Sequence, residues 1–197
     1  IASSTNISKA KKVLSRMREG YKILSENKNI QKAFKLMNKS MYMQQIHYLI
    51  PKNLFSNSLD YDTLFNLKEF SSKGNWYPFQ IAFLLLNIKS LHLPDSDDRN
   101  IMDLIWFPTG GGKTEAYLGL TAFTIFLRKI NKSDVKGCAV IMRYTLRLLT
   151  TQQFQRAASL ICACEYIRRK NVTELGDEPI SIGLWVGTDV SPNRLAD

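Results

Sequence analysis

Apolar residues recur along the first third of the chain at the spacing of a helix face. Ala10, Val13, Leu14, Met17, Tyr21 and Leu24 follow an i, i+3, i+4, i+7 rhythm, which predicts an amphipathic helix. Lys9, Lys11, Lys12, Arg16, Arg18 and Lys22 fall off that stripe, so its other side reads as basic. A second stripe runs through Ile30, Ala33, Phe34, Met37 and Met41, with lysines outside it. The two helices are expected to join near Asn27-Lys28-Asn29. Pro51 ends the second pattern, and residues 55–75 read as a polar connector with one short helix.

Beyond the connector the pattern changes. Asn75–Leu91 is strongly apolar with Pro78 in the first turn, where a helix tolerates proline. Lys113–Lys129 is apolar nearly all round, and Leu146–Arg168 returns to helical spacing. Asp103–Phe107, Cys138–Met142 and Ile180–Val186 are short continuous apolar runs, the pattern of buried parallel strands. Strand and helix alternate, which predicts an α/β fold with a parallel sheet and right-handed crossovers. The expected organisation is a basic helical region over 1–54, a connecting segment over 55–75 and a nucleotide-binding region over 76–197.

Charge sharpens this division. Of a net charge of +10, residues 1–52 carry +9, with 11 Lys and Arg against Glu19 and Glu26. The asymmetry points to a nucleic-acid contact or an acidic partner for the first quarter. No apolar run approaches the roughly 20 residues of a membrane span, so no membrane partner is expected. Ile1 is not methionine and no signal-peptide pattern follows, so the chain is expected to begin inside a longer, cytoplasmic protein. Cys138, Cys162 and Cys164 read as reduced core thiols, the latter two facing apart on a helix.

The chemistry concentrates in Leu104–Tyr117, LIWFPTGGGKTEAY. A glycine-rich turn ahead of a helix lets successive backbone N–H groups point inward, and the helix N-terminus adds partial positive charge. Thr109, Gly110, Gly111 and Gly112 form the expected phosphate cradle. Lys113 is placed to reach the terminal phosphates and the Thr114 hydroxyl to hold Mg2+, and these two are the candidate catalytic residues. The usual Gly-x4-Gly-Lys-Thr spacing is not met in full, because Phe107 stands where the first glycine belongs.

The form Pro-Thr-Gly-Gly-Gly-Lys-Thr resembles motif I of superfamily 2 helicases, although Phe107 is larger than the alanine usual there. Trp76-Tyr77-Pro78-Phe79-Gln80 resembles the aromatic-plus-glutamine motif of the same helicases. That resemblance implies that Gln80 reads the adenine edge of ATP and that an aromatic such as Phe79 stacks on the base. Met142–Gln153, MRYTLRLLTTQQ, looks like motif Ia, which implies backbone contacts to DNA from Thr145, Arg147 and Gln152. A hydroxyl, a guanidinium and a helix start are all phosphate donors. The run through WFPTGGGKTEAYLGL, the motif Ia segment and PISIGLWVG further resembles the large helicase-like proteins of DISARM antiphage defence systems, over roughly residues 76–190. AFKLMNKSMYMQQ, residues 33–45, resembles their region before the helicase core more faintly.

The resemblance implies the first part of a RecA-like helicase domain 1, with ATP and Mg2+ as cofactors and with DNA and other defence-complex subunits as partners. Hydrolysis needs an Asp-Glu pair at a strand end and arginine fingers. Asp177-Glu178 precedes Pro179 and terminates no apolar strand, so it does not serve as that pair. The expected function is the ATP-binding portion of an ATP-dependent DNA translocase, inactive as this stretch alone. An alternative is an ATP-gated, non-translocating loader or sensor that docks partner proteins.

Overall fold

The computed structural model describes residues 2–50, 62–63, 70, 74–108, 110–132, 137–144 and 147–185. Its regular elements are helical: α1 (Ala2–Glu26), α2 (Lys28–His47), α3 (Pro78–His92), α4 (Lys113–Asn131), α5 (Arg147–Lys170) and a last turn, α6 (Val172–Leu175). A 3-10 turn, Asp97–Asn100, lies between α3 and the glycine loop. The break between α1 and α2 falls at Asn27, whose side-chain oxygen accepts the N–H groups of Asn29 at 2.9 Å and Ile30 at 3.1 Å. An asparagine cap satisfies two otherwise orphaned donors and starts a new helix. Pro78 opens α3, as expected from its fixed φ and missing donor.

Helix α2 lies against both α4 and α5, and α3 packs between α1 and α4. One core runs through them all: Ile30, Met37, Met41 and Ile46 of α2, Leu84 and Ile88 of α3, Leu118, Phe123 and Phe126 of α4, and Leu160 and Ile167 of α5. Helices from either side of the 55–75 connector therefore share a single apolar interior. Burying each of these large side chains is worth about 1.5–3 kcal/mol. Trp76 slots into the α2–α4 interface. A Cβ on Gly119 would stand 2.7 Å from its ring, and its indole N–H donates to Asn38 Oδ1 at 2.7 Å. Cys164 is buried in this core and burial pushes its thiol up to about 12, whereas Cys162 faces out, as the two-residue spacing requires. Cys138 is exposed, not a core thiol.

The expected parallel sheet is absent: no strand and no ladder occurs among the described residues, and the fold is helical rather than α/β or RecA-like. The three runs read as strands are irregular segments over their described residues, Val186 lying outside these. Met102, Leu104 and Trp106 are 95%, 81% and 88% exposed, and Ile141 and Trp185 are 86% and 87% exposed. An apolar run identifies a segment's local preference but not the neighbour whose N–H and C=O groups would pair with it. The helices bury their apolar faces on one another, so the interior forms without a sheet.

Helix α1 corrects a second expectation. The side turned to the protein is centred on Arg16, Gly20 and Ile23, and of the apolar stripe Leu24 packs against the core while Met17 is half-buried. Gly20 is the point of closest approach to α3, because a Cβ there would come within 1.9 Å of the Leu85 carbonyl oxygen. Beside it Arg16 is only 8% exposed. Its Nη1 and Nη2 donate to the two Asp103 carboxylate oxygens at 2.6 and 2.8 Å, while Nε reaches Asp98 Oδ2 and Nη2 reaches the Leu86 carbonyl, both at 3.4 Å. The Asp103 hydrogen bonds, against the cost of burial, raise the guanidinium further above its ordinary value. Arg16 is therefore a fastening of α1 to the segment ahead of the glycine loop, not part of a basic outer face. Val13, Leu14 and Tyr21 of the apolar stripe are exposed instead, as is Ile7.

A second polar knot holds the far end. Lys129 Nζ donates to the Glu178 carbonyl at 2.5 Å, and Arg168 Nη1 to the Gly176 carbonyl at 2.7 Å. Burial, then the neighbouring Arg168, lower the Lys129 ammonium. Glu165 accepts from Arg168, Arg169 and the Ile180 N–H. The Arg168 bonds chiefly, against desolvation, bring the Glu165 carboxyl down to about 2.

Two outcomes are expected. Gly20→Val forces side-chain atoms onto a backbone carbonyl that cannot step aside, and is expected to cost about 1–3 kcal/mol, read as a lowered urea midpoint; an unchanged midpoint would show that α1 and α3 do not approach this closely. A carboxyl lowered in the folded state adds stability above its unfolded value of 4.5 and loses it as pH falls toward about 2. The stability gap between the wild type and Glu165→Gln should accordingly be full near neutrality and shrink steadily below pH ~4.5 in urea titrations. A gap that does not vary with pH contradicts the assignment.

Candidate phosphate-binding site

The glycine loop sits where irregular chain turns into a long helix. Gly110 and Gly112 have φ of 81° and 85°, left-handed backbone that glycine adopts without strain, and Gly112 is the N-cap of α4. The Gly111 N–H donates to the Pro108 carbonyl at 3.1 Å and closes the turn. Lys113 is the first residue of α4 and Thr114 the second, both half-buried. Lys113 Nζ folds back over the loop and donates to the carbonyls of Phe107 at 2.5 Å and Pro108 at 3.0 Å. A phosphate bound at the helix start would compete with these carbonyls for the ammonium. Thr109 lies outside the described residues.

Gln80 adjoins this loop and is only 2% exposed. Its Nε2 donates to the Gly112 carbonyl at 2.7 Å, and its Oε1 accepts the Tyr77 N–H at 2.8 Å. Both ends of the amide thus tie backbone to backbone across 32 residues, joining the start of α3 to the start of α4. Phe79 stacks on Phe107 with ring centroids 4.1 Å apart and planes 21° from parallel, and Tyr77 runs near-parallel to Phe79 at 6.2 Å and 10°. The Phe107 ring, oversized for the helicase motif, finds its partner here. Tyr77 is the most exposed member of this ladder, at 62%, and Phe107 is exposed as well.

The motif Ia-like residues are placed less completely. Thr145 lies outside the described residues. Arg147 is the first residue of α5, and Gln152 is exposed on that helix. One turn beyond Gln152, Arg156 forms an ion pair with Glu115 in the first turn of α4. That bridge sets the face of α5 carrying Gln152 beside the helix that carries Lys113 and Thr114. Glu115 and Arg156 were missed in the sequence; only a Glu in the first turn of a helix, favourable to its dipole, hinted at one of them. A separate apolar cleft of about 1030 Å3 runs between α4, α5 and the segments 137–144 and 179–185, away from the glycine loop.

The site is thus a glycine-rich loop at the N-terminus of a 19-residue helix, with only helices as regular elements among the described residues. No model of a known protein family matches the chain. The DISARM protein DrmA of Bacillus paralicheniformis is 41% identical over 190 residues, a stretch covering 93% of this chain and 16% of that protein. The chain therefore spans about one sixth of the length of this relative and is related to it nearly from end to end. No helix among the described residues is long and apolar enough to cross a membrane.

Replacing Gln80 by Met keeps its volume while orphaning a buried carbonyl and a backbone N–H. The expected cost is about 1–3 kcal/mol, with faster amide exchange at Gly112 and Lys113. Native-like exchange in this variant would mean that the amide does not hold the loop.

Proposed function

We propose that this chain is the nucleotide-binding portion of an ATP-dependent DNA motor acting in DISARM antiphage defence. The observation that carries the reading is the junction at Gly110–Thr114: left-handed glycines, a helix start and a lysine ammonium meet at one point. Backbone N–H groups at such a start favour an anion. Lys113 would take the terminal phosphates of ATP and Thr114 would hold the Mg2+ that bridges them. Gln80 and the Tyr77–Phe79 pair stand beside the loop, where an adenine could meet an amide edge and a ring. Reading the adenine edge requires the Gln80 amide to share or exchange one of its two backbone bonds.

Arg147 and Gln152, with Thr145, would touch the DNA backbone from the start of α5, coupled to the phosphate site through Glu115 and Arg156. The relation to DrmA supports the defence role and, with it, assembly with further defence subunits. A second reading, an ATP-gated loader that docks partner proteins, draws support from the apolar outward face of α1.

Titration with a fluorescent ATP analogue tests the central claim. Binding is expected to need Mg2+ and to fall at least about tenfold in Lys113→Ala, a loss of about 1.4 kcal/mol or more, with the thermal midpoint kept. Equal affinity in wild type and variant would remove the phosphate role from Lys113.

A further inference from the structure

The outward face of α1 carries a regular apolar row. Ile7, Leu14 and Tyr21 are seven residues apart, with Ala10 and Met17 between them at the alternate 3–4 spacing. In heptad terms these are successive a and d positions, the seam that a partner helix covers in a coiled coil. Ile7, Leu14 and Tyr21 are 53%, 44% and 63% exposed. The side toward α3 is committed, because Arg16 at c and Gly20 at g are packed on that helix. Met17 beside them is half-buried, and the open part of the row is Ile7, Ala10 and Leu14 with the Tyr21 ring. Residues 3–15 are exposed throughout, so α1 projects from the body for about 20 Å at 1.5 Å per residue. Single exposed apolar residues are ordinary, but a continuous row on a projecting helix marks a contact surface.

Charge selects the occupant. Lys11 and Arg18 both fall at the e position beside the seam and are exposed. Glu19, one of the two acids of α1, is engaged by Lys89 at 2.5 Å, and Glu26 lies at the helix end. A second copy would bring its own Lys11 and Arg18 with no carboxylate along the seam to meet them. DNA would answer the lysines and leave the apolar row uncovered. We propose that the Ile7–Ala10–Leu14–Met17–Tyr21 face of α1 docks an amphipathic helix of a partner protein, with acidic residues beside that helix's own apolar seam. The pairing covers two to three heptads, which suits a reversible contact. This inference does not depend on nucleotide binding.

Two synthetic helices of about three heptads, the register a seam needs, serve as probes, each with Leu at a and d. One carries Glu at e and g, the other Lys. The acidic helix is expected to bind the chain at least tenfold more tightly than its lysine counterpart. Leu14→Ser should weaken it at least tenfold, Lys12→Glu at the far f position should leave it within twofold, and the pair Lys11→Glu with Arg18→Glu should reverse the preference. Thermal midpoints should hold, since each altered side chain is exposed. Equal binding of the two helices, or indifference to Leu14→Ser, overturns the proposal. Self-association of the chain that Leu14→Ser abolishes would assign the seam to a second copy, and displacement of the acidic helix by duplex DNA would assign it to nucleic acid; either result overturns it as well.

Discussion

The buried guanidinium of Arg16 decides how the first helix sits. A charge taken out of water is tolerated only with close counter-charges, and Asp103 supplies both its oxygens while Asp98 adds a longer contact. Removing one member of such a pair costs about 3–5 kcal/mol, more than burial of one further apolar side chain returns at about 1.5–3 kcal/mol. Once α1 is docked, the ion pair therefore resists any shift that would leave one of these charges buried without its partner, and Ile7, Val13, Leu14 and Tyr21 stay outward. Gly20 makes the choice possible sterically, because only a residue without Cβ lets the helix backbone reach the Leu85 carbonyl. The same carboxylate, Asp103, stands four residues ahead of Phe107, so the clasp also fixes the approach to the glycine loop.

The loop itself is held by neutral groups and stacking. The Gln80 amide grips the Gly112 carbonyl, Phe107 lies on Phe79, and Lys113 spans the carbonyls behind the turn. Three independent constraints on six residues leave the backbone N–H groups of the helix start already oriented. Orienting them in advance would spare an anion bound there the entropy of ordering the loop.

Local order was legible in the sequence, and long-range pairing was not. The positions of the long helices followed from period, from Pro78 and from the asparagine at 27, because each is written within a few residues. The glycine loop was readable for the same reason. Cys138–Met142 and Ile180–Val186 failed as strands because an apolar run says nothing about a ladder partner. The α1 stripe failed differently: amphipathicity shows that a face avoids water, not which surface covers it. Arg16 counted as one more exposed cation because its partners lie 82 and 87 residues away. Gln80 was noticed, but its grip on Gly112, 32 residues on, could be seen only in three dimensions.

The bond between Gln80 and Gly112 has an electrostatic meaning as well. It brings two helix N-termini, those of α3 and α4, within one side chain of each other. Each helix start carries roughly half a positive charge from its aligned peptide dipoles. Together they amount to about one unit charge built from backbone alone. Such a charge does not titrate and no side-chain modification neutralises it. The pull on an anion at this junction is therefore part of the chain's architecture, and Lys113 adds to a field that the two helices already provide.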